Sequence, residues 1–233
     1  MELTADDVER YVEEYRAEEP LYPVEQEGIE TLPDALRAGE YGPRDAEWVV
    51  RWYFRRYLGE YPHDERAEIE DQFADVEMGR VKAAIADAAD AIDDAVESET
   101  HTSESETHTS ESETHTSESL SGRTGRSDDG SDAQPAHAAA LDALTDLPAV
   151  DVRVGSAFLT FLHPDTYVPI GEREWEILRD VSSLDRSYPT SPSIEDYGRF
   201  LESVREIENR LETDARTTYM VLWRLSKEDG STT

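Results

Sequence analysis

The fold of this chain is decided by one stretch, Leu147-Pro148-Ala149-Val150-Asp151-Val152-Arg153-Val154-Gly155-Ser156-Ala157-Phe158. Pro148 and Ala149 predict a tight turn, because proline fixes its own φ and cannot donate a backbone hydrogen bond. Asp151 is placed to cap the helix that follows, since its side chain can accept from the free amides of the first turn. Apolar residues at helical spacing then predict a helix that ends before Pro164.

Helices are predicted on both sides of this turn. Residues 138–147 carry leucines at helical spacing, and residues 167–171 form a short extended link after the turn's second helix. Residues 172–178 are predicted to be helical with Trp175 facing inward. Ser193 caps the next helix. The last predicted helix holds Tyr219, Leu222, Trp223 and Leu225.

The N-terminal region is predicted to be helical as well. Thr4 caps a first helix, and a second, shorter helix starts at Pro33. Residues 44–58 are aromatic on too many faces for a surface helix, which predicts a buried central helix. A further helix surrounds Phe73, and apolar residues across 81–96 predict one long amphipathic helix. Because strand-like alternation is absent, the fold class is all-α.

A tandem repeat interrupts this helical pattern. The heptapeptide Glu-Thr-His-Thr-Ser-Glu-Ser starts at Glu99, Glu106 and Glu113. It has no apolar residue to form a coiled-coil seam, so it is predicted to be a disordered linker. The predicted organisation is one multi-helix domain with this insertion: an N-terminal helical region over residues 1–96, the linker over 97–136, a C-terminal helical region over 137–228 and a tail over 229–233.

Composition indicates the solvent in which the protein works. The chain has 22 Lys and Arg against 55 Asp and Glu, a formal net charge of −33, and no cysteine. Such repulsion is tolerable in molar salt, which predicts a salt-adapted protein of the kind found in halophilic archaea. Disulfides, thiolate nucleophiles and cysteine-bound zinc are excluded. Without a signal sequence or an apolar run of about 18 residues, a cytoplasmic protein with no membrane contact is expected.

The turn and the later stretch Pro169-Ile170-Gly171-Glu172-Arg173-Glu174-Trp175 resemble the helix-hairpin-helix (HhH-GPD) superfamily of base-excision DNA glycosylases. That family has a Leu-Pro-Gly-Val-Gly-x-Lys hairpin between two helices, followed by Pro-Val-Asp ahead of another helix. The resemblance covers residues 140–178 in matching order and spacing. It implies a helix-hairpin-helix glycosylase-like fold and an ancestral association with DNA.

The chemical groups of that family are replaced in this chain. Ala149 and Asp151 occupy the positions of the family's two hairpin glycines. Arg153 occupies the position of its nucleophilic lysine. An arginine stays protonated and cannot attack a sugar. Gly171 stands at the essential aspartate, and Glu172 is one residue later, a rotation of about 100° on a helix. No catalytic residue is therefore predicted, and the protein is expected not to be an enzyme of the family's kind.

Candidate DNA contacts come from the densest basic and aromatic cluster of an acidic chain. Arginines interleaved with Trp52, Tyr53 and Tyr57 could hold phosphates and stack bases. The alternative is a core helix whose arginines extend to acidic neighbours. The predicted DNA-binding residues are Arg51, Arg55, Arg56 and Arg153.

A candidate pocket is predicted around Trp175 and Glu172, where an aromatic wall and a carboxylate would meet. No dedicated metal site is predicted, because the histidines of the repeat, His101, His108 and His115, face a large ordering cost. The sequence contains no phosphate-binding glycine loop or other cofactor motif.

Three functional hypotheses follow. The first is a non-catalytic binding or regulatory protein on a helix-hairpin-helix glycosylase-like scaffold, with DNA or a protein as partner. The second is a divergent DNA glycosylase or lyase that acts on damaged bases through Glu172 or another carboxylate. The third is a structural or accessory protein-interaction module, in which deletion of residues 99–119 would harm function without unfolding the domain.

Overall fold

The computed structural model describes the backbone of residues 3–105 and 134–230, and the side chains of residues 3–95 and 134–228. Within these ranges the chain forms ten α-helices and no strand, which confirms the all-α prediction. The helices are α1 (Ala5–Glu18), α2 (Tyr22–Ala38), α3 (Pro43–Arg55), α4 (His63–Ala74), α5 (Met78–Ser105), α6 (Ala136–Thr145), α7 (Val152–Leu162), α8 (Glu172–Val181), α9 (Ile194–Leu211) and α10 (Ala215–Gly230).

Helix capping follows the sequence prediction at two places. Thr4 accepts a hydrogen bond from the backbone of Asp7, whose carboxylate accepts from Thr4 in return. Ser193 and Asp196 form the same reciprocal box at the start of α9. These boxes satisfy amides that the first turn of a helix leaves without a partner.

The prediction of a short helix starting at Pro33 is wrong. Helix α2 begins eleven residues earlier, at Tyr22, and Pro33 lies inside it. Pro23 is tolerated in the first turn, where the missing donor would have had no partner. The buried face of α2, which includes Leu32 and Leu36, holds the helix together through tertiary packing despite the second proline.

Helix α3 lies at the centre of the core, as the sequence predicts. Val49, Trp52 and Phe54 are buried, and the ring of Trp52 lies 4.8 Å from that of Phe161 on α7. Helices of the N-terminal region also pack on helices of the C-terminal region: α1 on α10, α2 and α3 on α7, and α5 on α6. The buried apolar residues of both regions form a single core.

The first residues of the predicted linker lie in a helix. Backbone helix α5 continues to Ser105, eight residues beyond the expected boundary at residue 97. Once a helix is nucleated, each added residue gains a backbone hydrogen bond, so polar residues can extend it. Residues 106–133, which contain the rest of the repeat, lie outside the described residues. At the other end, α10 reaches Gly230, inside the predicted tail.

A sharp hairpin joins α6 to α7. Ala149 adopts a left-handed conformation with φ of 66°. Asp151 caps α7 by accepting a 3.0 Å hydrogen bond from the amide of Val154. Gly155 allows the two helices to approach closely, because a Cβ there would lie 2.8 Å from the side chain of Leu141. The hairpin thereby directs the first turn of α7 toward α3 and α8.

Candidate functional site

A cleft of about 280 Å³ lies where the C-terminal end of α3 meets the first turns of α7 and α8. Four of its lining residues are tyrosines, and we call it the tyrosine cleft. Its lining residues are Tyr53, Tyr57, Glu60, Tyr61, Pro62, Arg153, Glu172, Arg173 and Tyr188. The structure therefore brings together residues that are more than 100 positions apart in the sequence.

The hydroxyl groups of three tyrosines are held by the protein. Tyr53 donates a 2.9 Å hydrogen bond to the carbonyl oxygen of Ile170. The hydroxyl of Tyr57 accepts from Arg56 at 3.1 Å, and that of Tyr61 accepts from Arg153 at 3.3 Å. Burial raises the pKa of Tyr53 and of Tyr57 above the ordinary value. Tyr53 and Tyr57 are therefore neutral aromatic surfaces near neutral pH.

A buried ion pair lies behind the cleft. Nη1 of Arg56 and Oε1 of Glu174 are 2.6 Å apart, with side-chain exposures of 2% and 0%. The guanidinium also lies 4.7 Å from the ring centre of Tyr53 and 4.9 Å from that of Tyr57. Burial alone would lower the pKa of Arg56, but the Glu174 carboxylate outweighs it and raises this pKa well above its ordinary value.

This burial corrects the prediction for Arg56. A guanidinium enclosed by aromatic rings and paired with a carboxylate cannot reach a DNA phosphate in this structure. The sequence pattern left two interpretations of Arg56 open, a DNA contact or an arginine of a core helix that reaches an acidic neighbour, and its pairing with Glu174 at the end of α3 matches the second. The pair is not fully satisfied, since Oε2 of Glu174 has no hydrogen-bond partner among the described residues.

Gly171 lies directly against this pair. A Cβ at this position would fall inside van der Waals contact with the Glu174 carboxylate, the Tyr57 hydroxyl and the Arg56 guanidinium. All three groups are held in place by their own contacts. The space that a side chain at position 171 would need is therefore filled by other polar groups.

The carboxylate of Asp151 lies at the N-terminus of α7. Nε of Arg153 donates to the Asp151 carboxylate at 2.7 Å, while the same carboxylate caps the helix. Burial disfavours the charge of Arg153, but Asp151 raises the pKa of the guanidinium above its ordinary value. Arg153 lines the tyrosine cleft as a protonated, paired group.

The remaining predicted arginines do not form one patch with Arg153. Arg51 is 2.5 Å from Glu47 and 3.8 Å from Glu70. Arg55 is exposed at the end of α3 and forms no ion pair within the described residues. The predicted DNA-binding set is thus divided between a buried arginine, two paired arginines and one exposed arginine.

The two residues predicted for a pocket separate in the structure. Glu172 is exposed and lines the tyrosine cleft. The expectation that Trp175 forms a pocket wall is corrected, because its side chain is only 1% exposed and belongs to the core. Its indole nitrogen donates to the carbonyl oxygen of Arg186 at 2.7 Å, and its ring stacks on Phe200.

Several cleft residues were missed by sequence reasoning. Arg173 lies over the ring of Tyr57 at 5.3 Å and pairs with Glu60, which is 113 residues away. Tyr188 comes from the irregular segment between α8 and α9, where no periodic pattern marks it. In the sequence, only the position of Arg173 next to Glu172 indicated that it could belong to the site. The contacts of the other missed residues depend on tertiary packing.

Comparisons with protein-family models, with curated proteins and with solved structures give no match to this chain. Among the residues that the structure describes, no group of three or more His, Asp or Glu side chains is arranged to hold a metal ion. In the same residues, no helix combines the length and apolar character needed to cross a membrane.

Proposed function

We propose that this chain is a non-catalytic binding protein on a helix-hairpin-helix glycosylase-like scaffold, with a protein rather than DNA as its partner. The observation that carries this proposal is the enclosure of Gly171 by Arg56, Tyr57 and Glu174. An aspartate at that position would have no space, and the group at the lysine position, Arg153, is a protonated guanidinium. Glycosylase chemistry of the family's kind lacks both of its groups.

The hairpin supports the scaffold portion of the proposal. Ala149, at a family glycine position, adopts the left-handed φ that glycine ordinarily supplies. The spacing between the hairpin and α8 also brings Arg153 and Glu172 to the same cleft. These features favour a retained helix-hairpin-helix geometry.

The charges support a protein partner over DNA. A helix N-terminus attracts phosphate through free amides and the helix dipole. In α7 the Asp151 carboxylate already accepts from the amide of Val154, and it would repel a phosphate there. Arg51 and Arg153 are each neutralised by a neighbouring carboxylate. A duplex would therefore meet few uncompensated cations.

The test is binding of fluorescent duplex and abasic DNA to the full chain in molar KCl. We expect an affinity weaker than the range of about 10⁻⁴ to 10⁻⁶ M that non-specific DNA binding shows at physiological salt. Binding that is lost in Arg153→Gln but kept in Arg16→Gln, which removes an exposed arginine of α1, would overturn the choice of a protein partner.

A second candidate is a divergent glycosylase, and one observation favours it. Oε2 of Glu174, unpartnered among the described residues, lies beside Gly171 where the family's carboxylate would stand. Glu172 provides a second, exposed carboxylate in the cleft. Incubating the chain with damaged-base duplexes at high salt tests this candidate. Release of free base that disappears in Glu172→Gln, while circular dichroism shows that the variant stays folded, would establish it in place of the binding protein.

A further inference from the structure

Two of the four tyrosine rings that line the tyrosine cleft have no cation of the protein over their faces. Arg56 already lies over Tyr53 and Tyr57, and Arg173 also lies over Tyr57. Within the described residues, no arginine or lysine lies over the ring faces of Tyr61 and Tyr188, which are both half-buried, although Arg153 donates to the Tyr61 hydroxyl at 3.3 Å. The negative face of an aromatic ring attracts a cation, and the attraction is larger when the cation is partly desolvated.

The charges around the cleft leave one carboxylate uncompensated. Arg153 is paired with Asp151, Arg173 with Glu60, and the buried Arg56 with Glu174. Three guanidinium groups therefore stand against four carboxylates, because Glu172 lines the cleft without an ion pair among the described residues. The local charge is negative, and the whole chain carries −33. Both favour a cationic occupant over an anionic one.

The size of the cleft suits one side chain. Its volume of about 280 Å³ is at the lower limit of small-molecule pockets, which span about 300–1,000 Å³. Protein interfaces often gain most of their affinity from one or two anchoring side chains that enter such pockets.

We propose that the tyrosine cleft is a recognition pocket for a cationic side chain, an arginine or a lysine, of a partner protein. The cation lies between Tyr61 and Tyr188 and pairs with Glu172 at the mouth. This inference rests on the proposed function, because it specifies the chemistry of the protein partner. A phosphate or nucleotide in the cleft is the competing outcome, since Arg153 and Arg173 also line it.

The test is titration of the full chain in molar KCl with N-acetyl-arginine amide, followed by calorimetry or by amide chemical shifts. The neutral isostere N-acetyl-citrulline amide has nearly the same shape without the charge. We expect the arginine compound to bind about tenfold more tightly than the citrulline compound, because a cation over partly buried rings gains about this much. The lysine amide should also bind more tightly than citrulline.

Variants assign the binding to the cleft. Glu172→Gln is nearly isosteric and exposed, and it should weaken arginine binding about twofold, because molar salt screens an exposed ion pair. Tyr188→Leu should weaken it about fivefold, whereas Tyr188→Phe keeps the ring and should retain binding. The matched control is Glu9→Gln, which removes the same charge from the exposed face of α1. It should leave binding unchanged.

Equal binding of arginine and citrulline amides, or no loss in Glu172→Gln, would overturn the pocket assignment. Tighter binding of adenosine monophosphate than of arginine amide, lost in Arg153→Gln, would overturn it in favour of an anion. The proposed function would survive either result from the small probes if the chain still neither bound DNA nor released a base. DNA binding or base release would instead refute the proposed function itself.

Discussion

At Gly171 the backbone has φ of −155°, an extended value that residues with a side chain readily adopt. The glycine is therefore required by space and not by backbone conformation. Its neighbours are the Arg56 guanidinium, the Tyr57 hydroxyl and the Glu174 carboxylate, which contact one another or the surrounding core. Any side chain must displace this cluster.

Substituting Gly171→Ala should lower the free energy of unfolding by about 1–3 kcal/mol, because it overpacks a buried and hydrogen-bonded cluster. Urea unfolding in molar KCl measures this change. Gly79→Ala is the control, since a Cβ there would meet only the Glu77 carboxylate, at 3.4 Å and at ordinary contact distance. An equally small effect in both variants would show that the cluster at Gly171 can move.

At Ala149, by contrast, the backbone conformation and not the available space determines how well a side chain is tolerated. Its φ of 66° is disfavoured for a residue with a Cβ. Ala149→Gly should therefore raise the free energy of unfolding by up to about 1 kcal/mol, after the larger chain entropy of glycine is subtracted. The control Ala143→Gly, inside α6, should lower it by about 1 kcal/mol. Destabilisation by both changes in thermal unfolding would contradict a strained hairpin.

Among the helices, α3 has two roles. Trp52 and Phe54 pack in the core, while Tyr53, at the same end of the helix, lines the tyrosine cleft. Arg56, which closes the helix, connects these surfaces through its pair with Glu174 on α8. The position of α8 relative to α3 therefore depends on a buried ion pair.

Removing one partner of this pair should be strongly destabilising. Arg56→Met or Glu174→Leu should each lower the free energy of unfolding by about 3–5 kcal/mol, because one buried charge is left uncompensated. The double variant Arg56→Met/Glu174→Leu should recover much of the loss. Urea unfolding of the four proteins forms a double-mutant cycle. If the two single effects simply add in the double variant, the pair is not coupled.

For the whole molecule, the dominant property is the net charge of −33. Local attractions offset some of it: Arg224 on α10 contacts Glu14, Glu18 and Glu19 and joins the two ends of the chain. Acidic residues still outnumber basic ones by far, so mutual repulsion should oppose the compact state at low salt.

The midpoint of thermal unfolding should rise as KCl is increased from millimolar to molar concentration. Salt reduces the Debye length from about 30 Å at 0.01 M to about 3 Å at 1 M, which screens the carboxylates from one another. Circular dichroism at the helical band follows the transition. A midpoint that stays constant or falls with KCl would contradict salt adaptation and would indicate that the local ion pairs dominate.

The sequence alone determined the all-α class and most helices of the described ranges. The caps at Thr4 and Ser193, the burial of the segment around Trp52 and the turn before Asp151 were all predictable. These features depend on residues within one or two turns of each other, so periodicity and capping chemistry express them directly. The helical continuation through Pro33 was not predictable, because packing against other helices overcame the local preference.

Only the tertiary structure decided what the candidate site is. Arg56 was named as a candidate DNA contact, but it is buried against Glu174, which is 118 residues away. Glu172 and Arg153 were expected to matter, and the fold placed them in one cleft, whereas Trp175 went into the core. Tyr188 joined that cleft from an irregular segment, and Arg173 joined it through contacts with Tyr57 and Glu60. Side-chain contacts over such separations depend on how the helices pack, and no local spacing in the sequence encodes that packing.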